Sequence, residues 1–318
     1  MVIVLAGVIN MASNDFKYDL AKFIDFQDKD ACERVRAIKK KDIAKTDNPN
    51  LKIKVIDSKA KFYKAFAQDL VGRIEKARDE SKTFVAIVPV GPVPQYEIAA
   101  KIINKKKISM EHVHFFNMDE YADQDGNTAP ISWAGSFQKA MYDNFLMKID
   151  KKLRPKESQL NFPTSEAISS YTSRIENLGG ADVCYGGIGW CGHIAFWESD
   201  LGKEFRGDHE AFRNAGPRTV ELTPMTVMQN ALHTFGGDWS WVPPKANTIG
   251  PVNILTARDR SFWLDGYLGG GVSWQRFIAR LVLHGPVSEF VPGSFLQTVP
   301  SKINILGGVA DDLEINMA

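Results

Sequence analysis

Cysteine is scarce in this chain: three stand among 318 residues, Cys32, Cys184 and Cys191. The number is odd, and the spacings fit neither a zinc ribbon nor a Cys-x-x-Cys pair. A disulfide framework is thereby excluded as the source of stability, and a chain of this length buries enough surface to need none. A reducing, cytoplasmic compartment is the simplest setting. Net charge is nearly absent as well, since 39 basic and 38 acidic side chains leave +1. No bulk field favours nucleic acid or an anionic membrane, so neither is expected as a partner. The basic runs Lys39-Lys40-Lys41 and Lys105-Lys106-Lys107 read as solvated helix ends. No stretch reaches transmembrane length without charges. The apolar opening, residues 1–11, has no basic residue before it and no clear cleavage site after it, and makes a poor signal peptide. Repeats and low-complexity tracts are missing too, which excludes a solenoid.

What is present is an ordinary globular balance, 44% hydrophobic and 24% charged. The length suits one large α/β domain or two modest ones. Residues 1–50 read as a polar N-terminal extension, with an exposed helix over 28–45 and a turn at Asp47-Asn48-Pro49-Asn50. From 51 to 318 the chain is expected to form a single α/β domain. Residues 52–56 read as a strand. Phe62, Phe66, Leu70 and Ile74 recur at helical spacing within 59–77. The apolar run 84–88 suits a strand buried on both faces. A helix over 95–103, a strand over 112–116, helices over 136–146 and 165–178, and a strand over 182–185 follow. This alternation predicts a three-layer α/β/α fold with a mostly parallel, Rossmann-like sheet. Ligands then bind beyond the carboxyl ends of the strands.

Three loops leave predicted strands at that edge. The first is Pro89-Val90-Gly91-Pro92-Val93-Pro94. The second is Asn117-Met118-Asp119-Glu120-Tyr121. The third runs Gly186-Gly187-Ile188-Gly189-Trp190-Cys191-Gly192-His193-Ile194-Ala195-Phe196-Trp197-Glu198. In the third, four glycines surround one histidine, and a carboxylate follows five residues later. Glycine lets the backbone approach a ligand, and histidine exchanges protons near neutral pH. A tight strand-to-helix turn with a capping histidine would read the same way. In the second, adjacent carboxylates raise one another's pKa and suit a base; an Asp that caps the next turn is the plainer alternative.

Taken together, the second and third loops resemble the signatures of the glucosamine-6-phosphate deaminase family, within the 6-phosphogluconolactonase superfamily. Ser136-Phe137-x-x-x-Met141-x-x-Asn144-Phe145 resembles the helix between them, and Val242-Pro243 with Thr248-Ile249-Gly250 resembles the family's C-terminal half. The likeness covers roughly residues 51–310. It implies that Asp119 carries a proton from C2 to C1 of an opened sugar, that His193 serves ring opening, and that Glu198 orients His193. Gly91, Val93, Glu120, Tyr121, Gly187, Gly189, Cys191 and Gly192 are the expected substrate-binding positions. The implied reaction is aldose–ketose isomerisation with release of ammonia, needing no metal and no redox cofactor. The partner is a small sugar; a homo-oligomer is left open.

The chain departs from the family pattern in three places. Cys191 stands where the family has an aspartate, and a thiol is mostly neutral at its ordinary pKa. A nucleophilic role for Cys191 stays open. The first loop has lost the hydroxyls of the family's Thr-Gly-Gly-Thr-Pro, and Pro92 has no N–H to offer a phosphate. The family's phosphate-holding arginine and lysine are missing: Leu232 and His233 stand near the first position, Trp274 and Gln275 near the second, with Arg276 beside them. Losing those charge-assisted contacts suggests a substrate without the usual 6-phosphate, or one that holds it differently. Trp133 is a candidate lid residue, and the tryptophans of 236–241 and 263–274 suit either sugar stacking or a core. Lactone hydrolysis and non-catalytic sugar binding are the alternatives on the same fold.

Overall fold

Phe84-Val85-Ala86-Ile87-Val88 is apolar without a break, and all five residues are buried. Such a strand needs cover on both faces, which only a central position between helices supplies. The computed structural model, which describes residues 16–315, places it there. The apolar opening 1–11 lies outside the described residues. In chain order the strands are β1 (Leu51–Ile56), β2 (Phe84–Val88), β3 (Val113–Asn117), β4 (Asp119–Ala122), β5 (Leu160–Asn161), β6 (Val183–Gly186), β7 (Arg218–Glu221), β8 (Lys245–Thr248), β9 (Asp259–Leu264), β10 (Tyr267–Gly269), β11 (Val272–Ser273) and β12 (Ser301–Leu306). Seven of them form one sheet in the order β1-β12-β9-β6-β2-β3-β5. Every pairing in it is parallel. The fold is therefore α/β with helices flanking a parallel sheet.

The chain moves outward in one direction through β2, β3 and β5, then returns to β6 and moves the other way through β9 and β12. The sheet order thus reverses between β2 and β6, and a crevice opens beyond their carboxyl ends. A second, antiparallel sheet, β4-β8-β7, roofs that edge. It encloses a small core of its own, with Tyr121, Phe196, Val220, Val242 and Ala246 buried together.

The Lys59–Asp79 helix buries Phe62, Phe66, Leu70 and Ile74, the stripe its periodicity predicts, behind an N-cap from Ser58. Other expectations shift. The helix expected over 28–45 spans only Lys29–Arg36, and it is not exposed all round: Ala31, Cys32 and Val35 form a small apolar stripe that joins the main core. A charge-rich composition had masked that stripe. The helix expected over 165–178 is a 3₁₀ turn, Ile168–Ser170, followed by Tyr171–Asn177. The helix expected over 136–146 ends at Asn144.

Candidate active site

β9, β6, β2 and β3 are neighbours, and the loops after all four line one cleft of about 600 Å³. That size suits a small molecule. From β2 come Pro89 to Val93; from β3 come Met118 and Asp119; from β6 come Gly187, Ile188, Gly189 and His193; from β9 come Asp265 to Leu268. The Pro224–Thr234 helix closes one wall with Gln229, Asn230, His233 and Thr234. Asp119 and His193 thus face a single cavity.

His193 is almost fully buried and is held from behind. Its Nδ1 lies 3.0 Å from Thr226 Oγ1 and 3.2 Å from Cys191 Sγ. The Thr226 hydroxyl donates in turn to Glu198 Oε2 at 3.0 Å, and the Thr223 hydroxyl donates to the same oxygen at 2.9 Å. The Cys191 thiol also donates to it, at 3.2 Å. With the Thr226 proton committed to Glu198, its oxygen is free to accept from Nδ1–H, which leaves Nε2 toward the cavity. Glu198 itself lies 3.6 Å from Nδ1, so it acts on the ring largely through Thr226. Burial alone would lower the pKa of His193. The Cys191 sulfur and the Glu198 carboxylate pull the other way and hold it well above the ordinary histidine value.

The glycine loop makes room for this ring. A Cβ on Gly189 would sit 1.9 Å from His193 Nε2. Gly192 has φ +90°, and its Cβ would press within 2.8 Å of Val291. Gln229 fixes the loop by accepting from Trp190 N at 2.6 Å.

Asp119 opens β4 and is 7% exposed. Burial, and then the adjoining Glu120 charge, raise its pKa to about 7, while the His193 charge opposes them. Glu120 turns away from the cavity, as strand alternation requires of its neighbour. It accepts from Tyr121 N, Phe137 N, Gln138 N and the Ser136 hydroxyl, all between 2.8 and 3.0 Å, and so anchors the start of the Phe137–Asn144 helix.

Of the expected binding positions, Gly91, Val93, Gly187 and Gly189 line the cavity. Glu120, Tyr121, Cys191 and Gly192 are not among its lining residues. Glu120 is an internal cap, Tyr121 packs among Trp133, Phe137, Phe196 and Phe235, Cys191 lies behind the imidazole, and Gly192 turns the loop. Trp133 lies nearly parallel to Phe235 at 6.0 Å and is a packed residue rather than a cavity lid. Trp263 packs edge-on against Phe62 and Phe66 with one side on the cavity. Trp239 and Trp241 are exposed and do not line it. Sequence reading missed Thr223, Thr226, Gln229, Tyr63 and Asp265. No local motif marks them; they reach the site only through the fold.

Among the described residues, Cys191, His193 and Glu198 are the group whose donor atoms could hold a metal ion, lying within 4.8 Å of one another. Their geometry is already accounted for by hydrogen bonds through Thr226, which occupies the space between Nδ1 and Oε2 at 3.0 Å from each.

No protein-family model matches the chain. Individual proteins do. The glucosamine-6-phosphate deaminase of Caenorhabditis elegans is 32% identical over 222 residues, 68% of this chain and 76% of that protein. The glucosamine-6-phosphate isomerase of Candida albicans is 34% identical over 249 residues, 76% of this chain and 91% of that protein. Among solved structures, a monomeric glucosamine-6-phosphate deaminase superposes with a TM-score of 0.67 at 22% identity, covering 81% of this chain and 98% of the other. The 6-phosphogluconolactonase of Thermotoga maritima superposes with a TM-score of 0.57 at 13% identity, covering 80% of this chain and 99% of that one. The structural likenesses speak to the fold alone.

Proposed function

Because this chain belongs to the glucosamine-6-phosphate deaminase family, we propose that it isomerises and deaminates an amino sugar, using Asp119 and His193 as its two proton carriers. The observation that carries this reading is that both side chains line one cavity. His193, kept protonated by the Cys191 sulfur and the Glu198 carboxylate behind it, handles the ring oxygen through Nε2 as the sugar opens. Asp119, with a pKa near the working pH, takes the proton from C2 and returns it to C1. The double bond moves from C1–O to C2–N as O1 gains a proton and the amine nitrogen gives one up. One water then adds at C2 and ammonia leaves, so amino-aldose plus water gives ketose plus ammonia. No step asks for an electron acceptor.

Gly91 and Val93 on the first loop, with Gly187 and Gly189 on the third, form the backbone wall against which the sugar would lie. Cys191 has its thiol turned to Glu198 and is assigned no nucleophilic role. The three free cysteines are buried, which suits a cytoplasmic enzyme. Among the described residues no helix is long and apolar enough to cross a membrane. A lactonase reading rests on fold likeness only.

Ammonia release measured over a panel of 2-amino sugars, with and without phosphate, tests the proposal. Turnover of at least one member that Asp119→Asn abolishes is the expected outcome. A panel that yields no ammonia, or turnover indifferent to that substitution, overturns it.

A further inference from the structure

The residues that line the cavity include, among those described, no lysine and no arginine. Its ionisable side chains are Asp119, His193, His233, Asp265, Tyr63 and Tyr267. Asp265 follows β9 directly, three strand positions along the edge from β3. At the usual interstrand spacing that is roughly 14 Å of backbone separation, which the inward-reaching side chains shorten. The cavity therefore carries one carboxyl group beside the proposed chemistry and another at its far end.

The far end offers a phosphate little. Asp265 Oδ2 accepts from the Tyr63 hydroxyl at 3.2 Å, and among the described residues that is the only side chain hydrogen-bonded to it. Gln275 is committed elsewhere: its oxygen accepts from Gly266 N at 2.8 Å and its amide donates to Ile188 O. Arg276 turns outward, with Nε donating to Gly308 O at 3.0 Å and the guanidinium reaching Asp311 at 3.4 Å. Lys59 sits with its ammonium 5.6 Å over the Tyr267 ring and does not line the cavity. His233 lies nearly parallel to Trp274, and the protein mass around it, followed by the nearby His193 charge, holds its pKa below the ordinary value. A dianion placed there would meet a carboxylate with no lysine or arginine in the cavity lining to pair with it, Lys59 acting on Asp265 only from outside that lining.

Resting on the amino-sugar reading, we infer that Asp265 and Tyr63 form the subsite for the end of the substrate opposite the amine, and that this end is a free hydroxyl. The enzyme is selective for an unphosphorylated amino sugar. The free carboxylate oxygen accepts the sugar hydroxyl, and the Tyr63 oxygen stands beside it as a second acceptor. Burial raises the pKa of Asp265 to about 6 against the opposing Tyr63 hydrogen bond and Lys59 charge, which leaves the carboxylate mostly ionised at neutral pH.

Calorimetric binding tests the subsite without relying on turnover. The probes are the 2-amino-2-deoxyhexitols of gluco, galacto and manno configuration and their 6-phosphates, titrated into wild type, Asp265→Asn and Tyr63→Phe. Wild type is expected to bind at least one free hexitol 10-fold or more tighter than its phosphate. Asp265→Asn is expected to shrink that preference at least 10-fold, and Tyr63→Phe, which keeps the ring in place, about 3-fold. Near-UV circular dichroism checks that both variants fold; where Asp265→Asn does not, Tyr63→Phe decides. Tighter binding of the phosphates, an unchanged preference in the folded variants, or no binding of any probe to wild type overturns the inference. If a free hexitol binds as expected but no amino sugar releases ammonia, the deaminase reading has failed and the subsite stands.

Discussion

At the scale of single residues, Asp119 is the group whose ionisation the fold opposes most consequentially. Its pKa rises from 3.8 to about 7 because burial, then Glu120, penalise the charge. For a carboxyl raised in the folded state, stability is full below the unfolded pKa and is lost as pH climbs toward the folded one. Wild type therefore gives up stability between about pH 4 and pH 7, on the order of 2–4 kcal/mol. Asp119→Asn is expected to unfold at higher temperature than wild type at pH 8, with the gap closing at pH 4, in paired thermal melts. The same variant should lose about 10³-fold or more in kcat. In the proposed reaction Asp119 works as the ionised base, so the wild-type rate should fall as pH drops below about 7. On the other side of the site, Gly189→Ala would drive a methyl group into the His193 ring, where 1.9 Å is all the space there is. It should cost about 100-fold in kcat/KM or more, while far-UV circular dichroism stays native. Thr226→Val severs the hydroxyl between imidazole and Glu198. It should lower the alkaline limb of the pH–rate profile, since His193 then holds its proton less firmly, an effect that loss of packing alone would not produce.

Secondary-structure elements explain why some of this was legible in the sequence and some was not. Asp119, His193 and Glu198 lie in two continuous motifs, and each motif directly follows a strand whose apolar run announces it. Glu120 shows the limit of such reading. Beside Asp119 it looks like a second site carboxylate, but β4 alternates, and its side chain points to the start of the Phe137–Asn144 helix. There it meets two backbone N–H groups and a hydroxyl, and it also accepts from Tyr121 N on its own strand. Glu120→Ala would leave these donors buried and unpaired, and should destabilise the protein by about 3 kcal/mol or more in urea unfolding. Thr226 and Asp265 were invisible for another reason. Thr226 meets a histidine 33 positions away, and Asp265 meets a tyrosine 202 positions away. Periodicity and composition carry no trace of contacts that only the sheet order creates.

For the molecule as a whole, the question is how the segment before β1 is tied to the body of the fold. Arg280 supplies much of the answer. It is fully buried in the middle of the Arg276–His284 helix, without a carboxylate partner among the described residues. Its guanidinium instead donates to Ile38 O at 2.8 Å on the lead-in, and to Ala310 O at 2.8 Å and Asp311 O at 3.0 Å near the other end of the chain. His284, one turn on, lies 2.9 Å from Ile43 O. The described part of this segment, residues 16–50, thus adds its apolar residues Cys32, Val35 and Ile43 to the main core beside a helix whose N-cap, Gln275, also holds the cavity floor. A cation satisfied only by carbonyls is sensitive to replacement, because an apolar side chain leaves several acceptors buried and unpaired. Arg280→Met should therefore destabilise the protein by about 2–4 kcal/mol, with the loss concentrated at the docked segment. Hydrogen exchange read by mass spectrometry is the direct check. Peptides covering 29–43 should lose protection well before those covering β2 and β3. Since Arg280 touches no cavity residue but its own helix, kcat/KM at 25 °C should stay within about 3-fold of wild type. Uniform loss of protection across the sheet would mean instead that the lead-in and the parallel sheet unfold as one cooperative unit, with Arg280 a keystone of both.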